Sequence, residues 1–235
     1  MPFRVWVVAG VLVGALGTAI LVATGALSHD DSDTDPVVAA VEAQEEAGAQ
    51  FVEAWERSRF GTYVVESTLE RSFPDGSGFS SERSVAQRPP DRLERSVGSI
   101  TSRLEGQVVL CRTEQRRYRC SSGRAGRSYR ALVRDEVEAL RGYVEGPVPL
   151  YAVVADGACF DLSQVRPLPA PPYGTEARFC FDDETGALTY IRVERDEAVD
   201  VTEATTLRAE VRDDDLRPPE NGDPSTAAVP EGDEG

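Results

Sequence analysis

The chain has 235 residues, with 41 acidic against 25 cationic side chains and a formal net charge of −16. A surface of that sign repels phosphate backbones, which excludes nucleic acid as a partner. Every cationic side chain is Arg and there is no Lys, which excludes Schiff-base and lysine-nucleophile chemistry. Both ends read as non-globular, leaving one domain of intermediate size, large enough to bury its own core without a metal.

Residues Val5 to Leu27 form an uncharged apolar or small stretch, VWVVAGVLVGALGTAILVATGAL. As a helix it is about 34 Å long at ~1.5 Å per residue, enough for the hydrocarbon core of a bilayer. Arg4 and the amino terminus precede it, and the next Arg is Arg57, so the positive-inside rule places residues 1–28 as a short cytoplasmic N-terminus and anchor. Everything after it is then extracytoplasmic. A cleaved signal peptide is the alternative, with small-residue sites at Thr24-Gly25-Ala26 or Ala26-Leu27-Ser28. Signal h-regions run to only about 7–15 residues, so the stretch reads as a signal-anchor for a single-pass cell-membrane protein. Gly10, Gly14 and Thr18 give a spacing compatible with helix pairing, one also expected by chance in a Gly- and Ala-rich span. No Cys lies nearby for lipid modification.

Residues 29–35 are an acidic linker, and Asp35-Pro36 is a helix start, an N-cap residue followed by Pro at the first turn. The helix runs to about Ser58 with Val37, Val41, Gly48, Phe51 and Trp55 on one face; Gln44 interrupts that stripe. From Thr62 to Phe73 the period becomes two, with Tyr63, Val65, Ser67 and Leu69 on one side, a half-buried strand. Pro74-Asp75-Gly76-Ser77-Gly78 is a turn, and a return strand runs from Phe79 to Gln87, stopped by Pro89-Pro90. Further strands fit Arg92–Arg103, Gln107–Arg112 and Tyr118–Cys120. Between Ser128 and Gly146 the period is helical again, with Leu132, Val133, Val137, Leu140 and Val144 on one face and Gly146-Pro147 as the stop. Strands resume at Leu150–Val154 and Ala158–Leu162. The Pro-rich loop Pro167–Pro172 leads to Glu176–Phe181, the turn Asp183–Gly186, the return strand Ala187–Glu194, and a last strand over about Val201–Val211. The domain thus spans 36–216. From Arg217 onward the composition predicts a disordered acidic tail, 217–235. The fold class is α+β, an antiparallel sheet curled around helices.

Four cysteines allow three pairings, and local geometry favours Cys111–Cys120, at the ends of CRTEQRRYRC, and Cys159–Cys180. In the chain-entropy model these contribute roughly 2.5 and 3.5 kcal/mol. A zinc site is the alternative; the spacings contain no C-x-x-C pair, and an exported domain favours disulfides.

No catalytic residue and no cofactor is indicated. His29, the only histidine, lies in the acidic linker, where no packed shell positions it as a base. Asp31, Asp33, Asp35 and Glu42 match four places of an EF-hand loop, with Pro36 where the turn needs Gly; they read as an acidic collar and N-cap, and no metal is expected. Asp182-Asp183-Glu184 and Asp213-Asp214-Asp215 fall at strand ends or turns, where Asp bonds to local backbone. The cationic residues Arg112, Arg116, Arg117 and Arg119, continued by Arg124, Arg127, Arg130 and Arg134, are clustered in an otherwise acidic protein. Arg makes bidentate contacts to carboxylates and phosphates, so the first four are candidate contacts for a partner or a lipid headgroup, against the reading of a self-neutralising surface.

The order of elements, with FVEAWERS ending the first helix, the strand GTYVVESTLER, the segment VAQRPPDRLER and the hairpin FCFDDETGALTYIRVER, resembles the LolA/LppX/RseB superfamily of envelope proteins over about Gln50 to Pro219. The resemblance implies an unclosed, strongly curved antiparallel barrel covered on its concave face by helices, with a hydrophobic cavity between them. It also implies binding of a lipid or acylated ligand, or sensing of an envelope component and regulation of a membrane partner. The cysteine pairs and the Pro-rich loop are departures that would narrow such a cavity. A non-enzymatic, membrane-anchored extracytoplasmic lipid-binding domain is therefore the first expectation, and an envelope protein-interaction module using the Arg-rich hairpin the alternative. The interior discriminates between them: open and apolar for lipid, filled and flanked by an exposed basic hairpin for protein.

Overall fold

The computed structural model describes residues 36–224, with side chains from Ala40 onward. The Val5–Leu27 stretch, its Gly10, Gly14 and Thr18, the linker with His29, and the chain after Pro224 lie outside the described residues. Among those described, no helix is long and apolar enough to cross a membrane.

The elements in chain order are α1 (Pro36–Phe60), β1 (Tyr63–Ser72), β2 (Gly78–Arg88), β3 (Asp91–Ser96), β4 (Ser99–Leu104), β5 (Gln107–Glu114), β6 (Arg117–Arg124), α2 (Tyr129–Val144), β7 (Tyr151–Asp156), β8 (Cys159–Gln164), β9 (Glu176–Phe181), β10 (Leu188–Arg195), β11 (Ala198–Arg208) and α3 (Asp213–Leu216). All eleven strands form one antiparallel sheet in the order β6-β5-β4-β3-β2-β1-β11-β10-β9-β8-β7. Every neighbour is a sequential hairpin except β1 with β11. The terminal strands β6 and β7 do not pair with each other, so the sheet is unclosed.

One expected strand, Arg92–Arg103, is two. Gly98 takes φ 69° at the turn and folds β4 back on β3, with Ser96 opposite Ser99. Positive φ costs glycine little, and Val97-Gly98 carries neither the Pro of the turns at Pro74 and Pro89-Pro90 nor an Asn or Asp.

Strand alternation divides the sheet into two faces. The inner face carries the helices. Buried Phe51, Val52 and Ala54 of α1 and Val133, Val137, Leu140 and Val144 of α2 pack there with Tyr151, Val153, Phe160, Leu162, Phe179 and Phe181. Ser128 caps α2 by accepting from the Ala131 amide. The two helices approach closely at Gly48, where a Cβ would stand 2.9 Å from the Val144 carbonyl oxygen. The stripe expected along α1 holds at Gly48 and Phe51 but not at Val41, which is 53% exposed. Gln44, which interrupts the stripe, is occupied elsewhere, since its Oε1 accepts from the Val153 amide of edge strand β7 at 2.7 Å. A backbone donor on an open edge is thereby satisfied.

The outer face of β1–β6 is covered by the chain's C-terminal segment. Leu216 of α3 is 1% exposed against Val64 and Ala86, and Leu93, Ile100, Cys111 and Tyr118 form an adjoining cluster. Arg217 to Pro224, expected to be disordered, is held against edge strand β6. The Tyr118 amide donates to the Asp223 carbonyl, the Gly222 amide to the Tyr118 carbonyl, and Cys120 N to Asn221 Oδ1. Composition alone missed this because backbone bonding to an open strand edge needs no apolar side chain. The Asp213–Asp215 run starts α3 and pairs with Arg88, Arg208 and Arg217, a structural role.

Both disulfides form with the favoured pairing, Cys111–Cys120 and Cys159–Cys180, each joining directly opposed residues of neighbouring strands. By alternation they lie on the outer face, away from the helices, so they do not narrow the interior.

Leu216→Ala should destabilise the domain by about 2–4 kcal/mol through the lost burial and the cavity left behind. Chemical denaturation monitored by circular dichroism checks this. Amide exchange should also rise at Tyr118 and Cys120, where the displaced segment had covered β6.

Candidate binding site on the inner face

The helix-covered half of the inner face is filled by aromatic side chains. The Phe51 ring lies 5.4 Å from those of both Phe160 and Phe179 and 6.3 Å from Phe181. Trp55 continues the stack, 5.9 Å from Phe179 and 6.1 Å from Tyr173. Tyr173 enters from the Pro-rich loop, anchored through its amide to the Tyr151 hydroxyl, which in turn donates to the Gly174 carbonyl. Burial pushes the Tyr173 phenol up to about 12, so it stays neutral in ordinary conditions. Aromatic side chains therefore occupy the space in which the resemblance implied an elongated cavity, and the Pro-rich loop helps to close it.

Beyond Trp55 the inner face opens into a cleft of about 150 Å³ between the end of α1 and strands β1, β2, β3, β10 and β11. Trp55, Val65, Val85, Leu188 and Ile191 give it apolar walls, and Arg59, Arg83, Arg92, Arg95 and Glu94 bring charge. A volume near 150 Å³ holds a group the size of benzene. A second, more open groove of about 500 Å³ lies between α1 and the loop after α2, lined by Val41, Gln44, Pro147 and Pro149 among others.

The wall of the cleft is a polar network that docks the end of α1. The last carbonyls of a helix have no partner within it. Here fully buried Gln87 donates through Nε2 to the Ser58 and Gly61 carbonyls at 2.8 and 2.9 Å. Its Oε1 accepts from Arg92 Nη1 at 2.6 Å. The Tyr63 hydroxyl donates to the Ser58 carbonyl and the Tyr129 hydroxyl to that of Arg59. Burial raises both phenols and keeps them as donors. Arg59 turns to Glu136 of α2 at 2.9 Å. None of Gln87, Arg92 or Tyr129 stood out in the sequence. The available signal was the tight turn at Pro89-Pro90, which sets Gln87 opposite Arg92 on the same face.

Towards the far end of β1, Asp200 on β11 accepts from Arg71 Nε and Nη2 at 2.5 and 2.6 Å and from Arg195 at 2.9 Å. The Arg71 hydrogen bonds hold its carboxyl below the usual range against some desolvation.

The four predicted Arg residues separate into different roles. Arg112 and Arg119 are directly opposed across β5 and β6 and by alternation share the uncovered inner face, beside Leu110, which is 50% exposed. Arg119 lies 3.8 Å from Glu114, and no ion pair of Arg112 or Arg116 is formed among the described residues. Arg116 sits at the hairpin tip with φ 62°. Arg117 donates to the Gly222 carbonyl at 2.7 Å and so holds the C-terminal segment. Arg127 and Arg134 pair with Asp135, and Arg130 lies over the Phe60 ring. Asp182 accepts from the Thr185 amide and hydroxyl, the local turn role its position indicated.

Several solved structures are similar to this chain. A LolA superfamily protein from Nitrosomonas europaea is 8% identical, with a TM-score of 0.33, over 73% of this chain and 97% of that one. Lipoprotein LppX of Mycobacterium tuberculosis is 12% identical, with a TM-score of 0.36, over 71% and 97%. The Pseudomonas aeruginosa MucA/MucB complex is matched at 12% identity and a TM-score of 0.38, over 74% of this chain and 61% of that one. No protein-family model matches the chain, and no curated protein does.

Gln87→Leu removes the cap on α1, leaving the Gly61 carbonyl and an Arg92 donor without this partner and the Ser58 carbonyl with Tyr63 alone, so a loss of about 2–3 kcal/mol is expected in equilibrium unfolding. Asp200 gives a signed pH effect. Its folded pKa is depressed, so its stabilisation is present above the ordinary carboxylate range and is lost as pH falls through the folded value. The stability gap between the wild type and Asp200→Asn should be widest near neutrality and shrink on acidification; a gap that widened in acid would refute this.

Proposed function

We propose that the chain is a non-enzymatic extracytoplasmic interaction module, held at the cell membrane by its N-terminal apolar segment, whose uncovered inner face binds an acidic segment of an envelope protein. The observation that carries this reading is the contrast between the two halves of the inner face. The half under the helices is filled by Phe51, Phe160, Phe179 and Phe181, whereas Arg112 and Arg119 stand side by side with exposed Leu110 on the half left open. Guanidinium groups beside an apolar side chain on a sheet of net-negative protein match a segment that alternates carboxylates with apolar residues.

A lipid or acylated ligand is the second reading, supported by the apolar walls of the cleft and of the open groove near Val41. Such a ligand would lie along the surface rather than inside the filled core, with its headgroup near Arg.

The test uses the full chain in lipid nanodiscs and a fluorescent peptide of alternating Glu and Leu. Arg112→Glu with Arg119→Glu should weaken binding by at least about tenfold, the scale of losing charge-assisted contacts. Wild-type binding should also fall as salt rises. Arg117 is left intact because it holds the C-terminal segment. Unchanged affinity would count against the protein reading, and an acyl species found by native mass spectrometry would favour the lipid one.

A further inference from the structure

The cleft beside Trp55 contains an ion group in which Arg92, besides its bond to Gln87, shares a carboxylate with Arg83, a contact that helix docking does not account for. Arg83 and Arg92 lie on the inner face of neighbouring strands β2 and β3, and the Glu94 carboxylate is shared between them. Arg83 Nη2 reaches Glu94 Oε1 at 3.4 Å and Arg92 Nη2 reaches Glu94 Oε2 at 3.2 Å. Charge-assisted N–H···O contacts are ordinarily about 2.7–2.9 Å, so this carboxylate is loosely held by both partners. The side chains differ in freedom. Arg92 is fixed by its 2.6 Å bond to buried Gln87 and is 19% exposed, whereas Glu94 is 38% exposed and can turn to solvent. Around the pair are the apolar walls Trp55, Val65, Val85 and Ile191 and a free volume of about 150 Å³. Cations outnumber carboxylates among the lining residues, Arg59, Arg83, Arg92 and Arg95 against Glu94, in a chain of net charge −16.

We propose that this cleft is a binding site for a small aliphatic carboxylate, in which Glu94 is a built-in occupant displaced by the incoming ligand. The ligand class is read from the occupant: two guanidinium groups already hold a carboxylate, and the walls beside it are aliphatic and aromatic rather than polar. The volume limits the stem to about five or six carbons. The site is separate from the β5–β6 surface and stands or falls independently of it.

The experiment uses the full chain in nanodiscs on a Trp6→Phe background, so that Trp55 alone reports. Titration with hexanoate should give a saturable change in Trp55 fluorescence, and hexanol, of similar length but uncharged, should not. Arg83→Gln removes one side of the clamp without touching the Gln87 network and should weaken hexanoate binding about tenfold or more. Glu94→Gln removes the competing charge and should tighten it by about two- to fivefold, the scale of a partly exposed ion pair. Hexanoate and hexanol giving the same response would overturn the proposal, as would Glu94→Gln weakening binding while the circular dichroism spectrum stays native.

Discussion

The pairing of β1 with β11 is the constraint on which the rest of this domain depends. The strands follow one another as hairpins on either side of α2, and only this long-range ladder, from Val64 opposite Arg208 to Ser72 opposite Val199, joins the two runs into one sheet. It is antiparallel and half-polar, so burial alone specifies its register weakly. Arg71 and Asp200, which face each other in the ladder and share two hydrogen bonds, add a charged check on that register. A slip by one residue would put Arg71 on the wrong face of its partner. The bulge between Glu66 and Ser67 lets both ends of the strand keep their pairing.

With the sheet assembled, its two faces are covered in part, by different means. On the inner face, large aromatic side chains supply contact area and α1 is locked by polar capping through Gln87, Tyr63 and Tyr129. A buried amide stabilises only when its groups are paired, and here Gln87 uses both amide hydrogens and its oxygen. On the outer face the cover is thin: four residues of α3, one buried Leu216, and a segment bonded to the edge of β6. The Cys111–Cys120 crosslink stands under that cover, beside buried Leu93, Ile100 and Tyr118.

Because α2 crosses from β6 to β7, both helices come to rest over β7–β9 and leave the inner face of β4–β6 bare. The uncovered residues could not remain apolar in water without becoming an aggregation surface, and Arg112 and Arg119 keep it soluble. The same charges are those that the proposed acidic partner would meet. In the cleft at the boundary between the covered and open halves, apolar wall and guanidinium meet at one place, around Arg83, Arg92 and Trp55.

Much of this was legible in the sequence. Alternation from Tyr63 to Leu69 set the inner face of β1; Val133, Val137, Leu140 and Val144 set the buried side of α2; and the spacing of the cysteines favoured the pairs that form. These signals are local, and a period of two or of 3.6 is written in consecutive residues. The sequence did not reveal that Gln44 caps a strand edge, that Val97-Gly98 turns the chain, that residues 217–224 stay attached to β6, or that Gln87 and Arg92 build a cleft. Each depends on which distant backbone lies alongside, and polar residues carry no periodic mark of their partner. Composition and pattern therefore determined an α+β antiparallel domain with an Arg-rich hairpin. Only the tertiary structure decided that its interior is filled rather than hollow, because that turns on whether rings from α1, β8, β9 and the Pro-rich loop arrive at the same place.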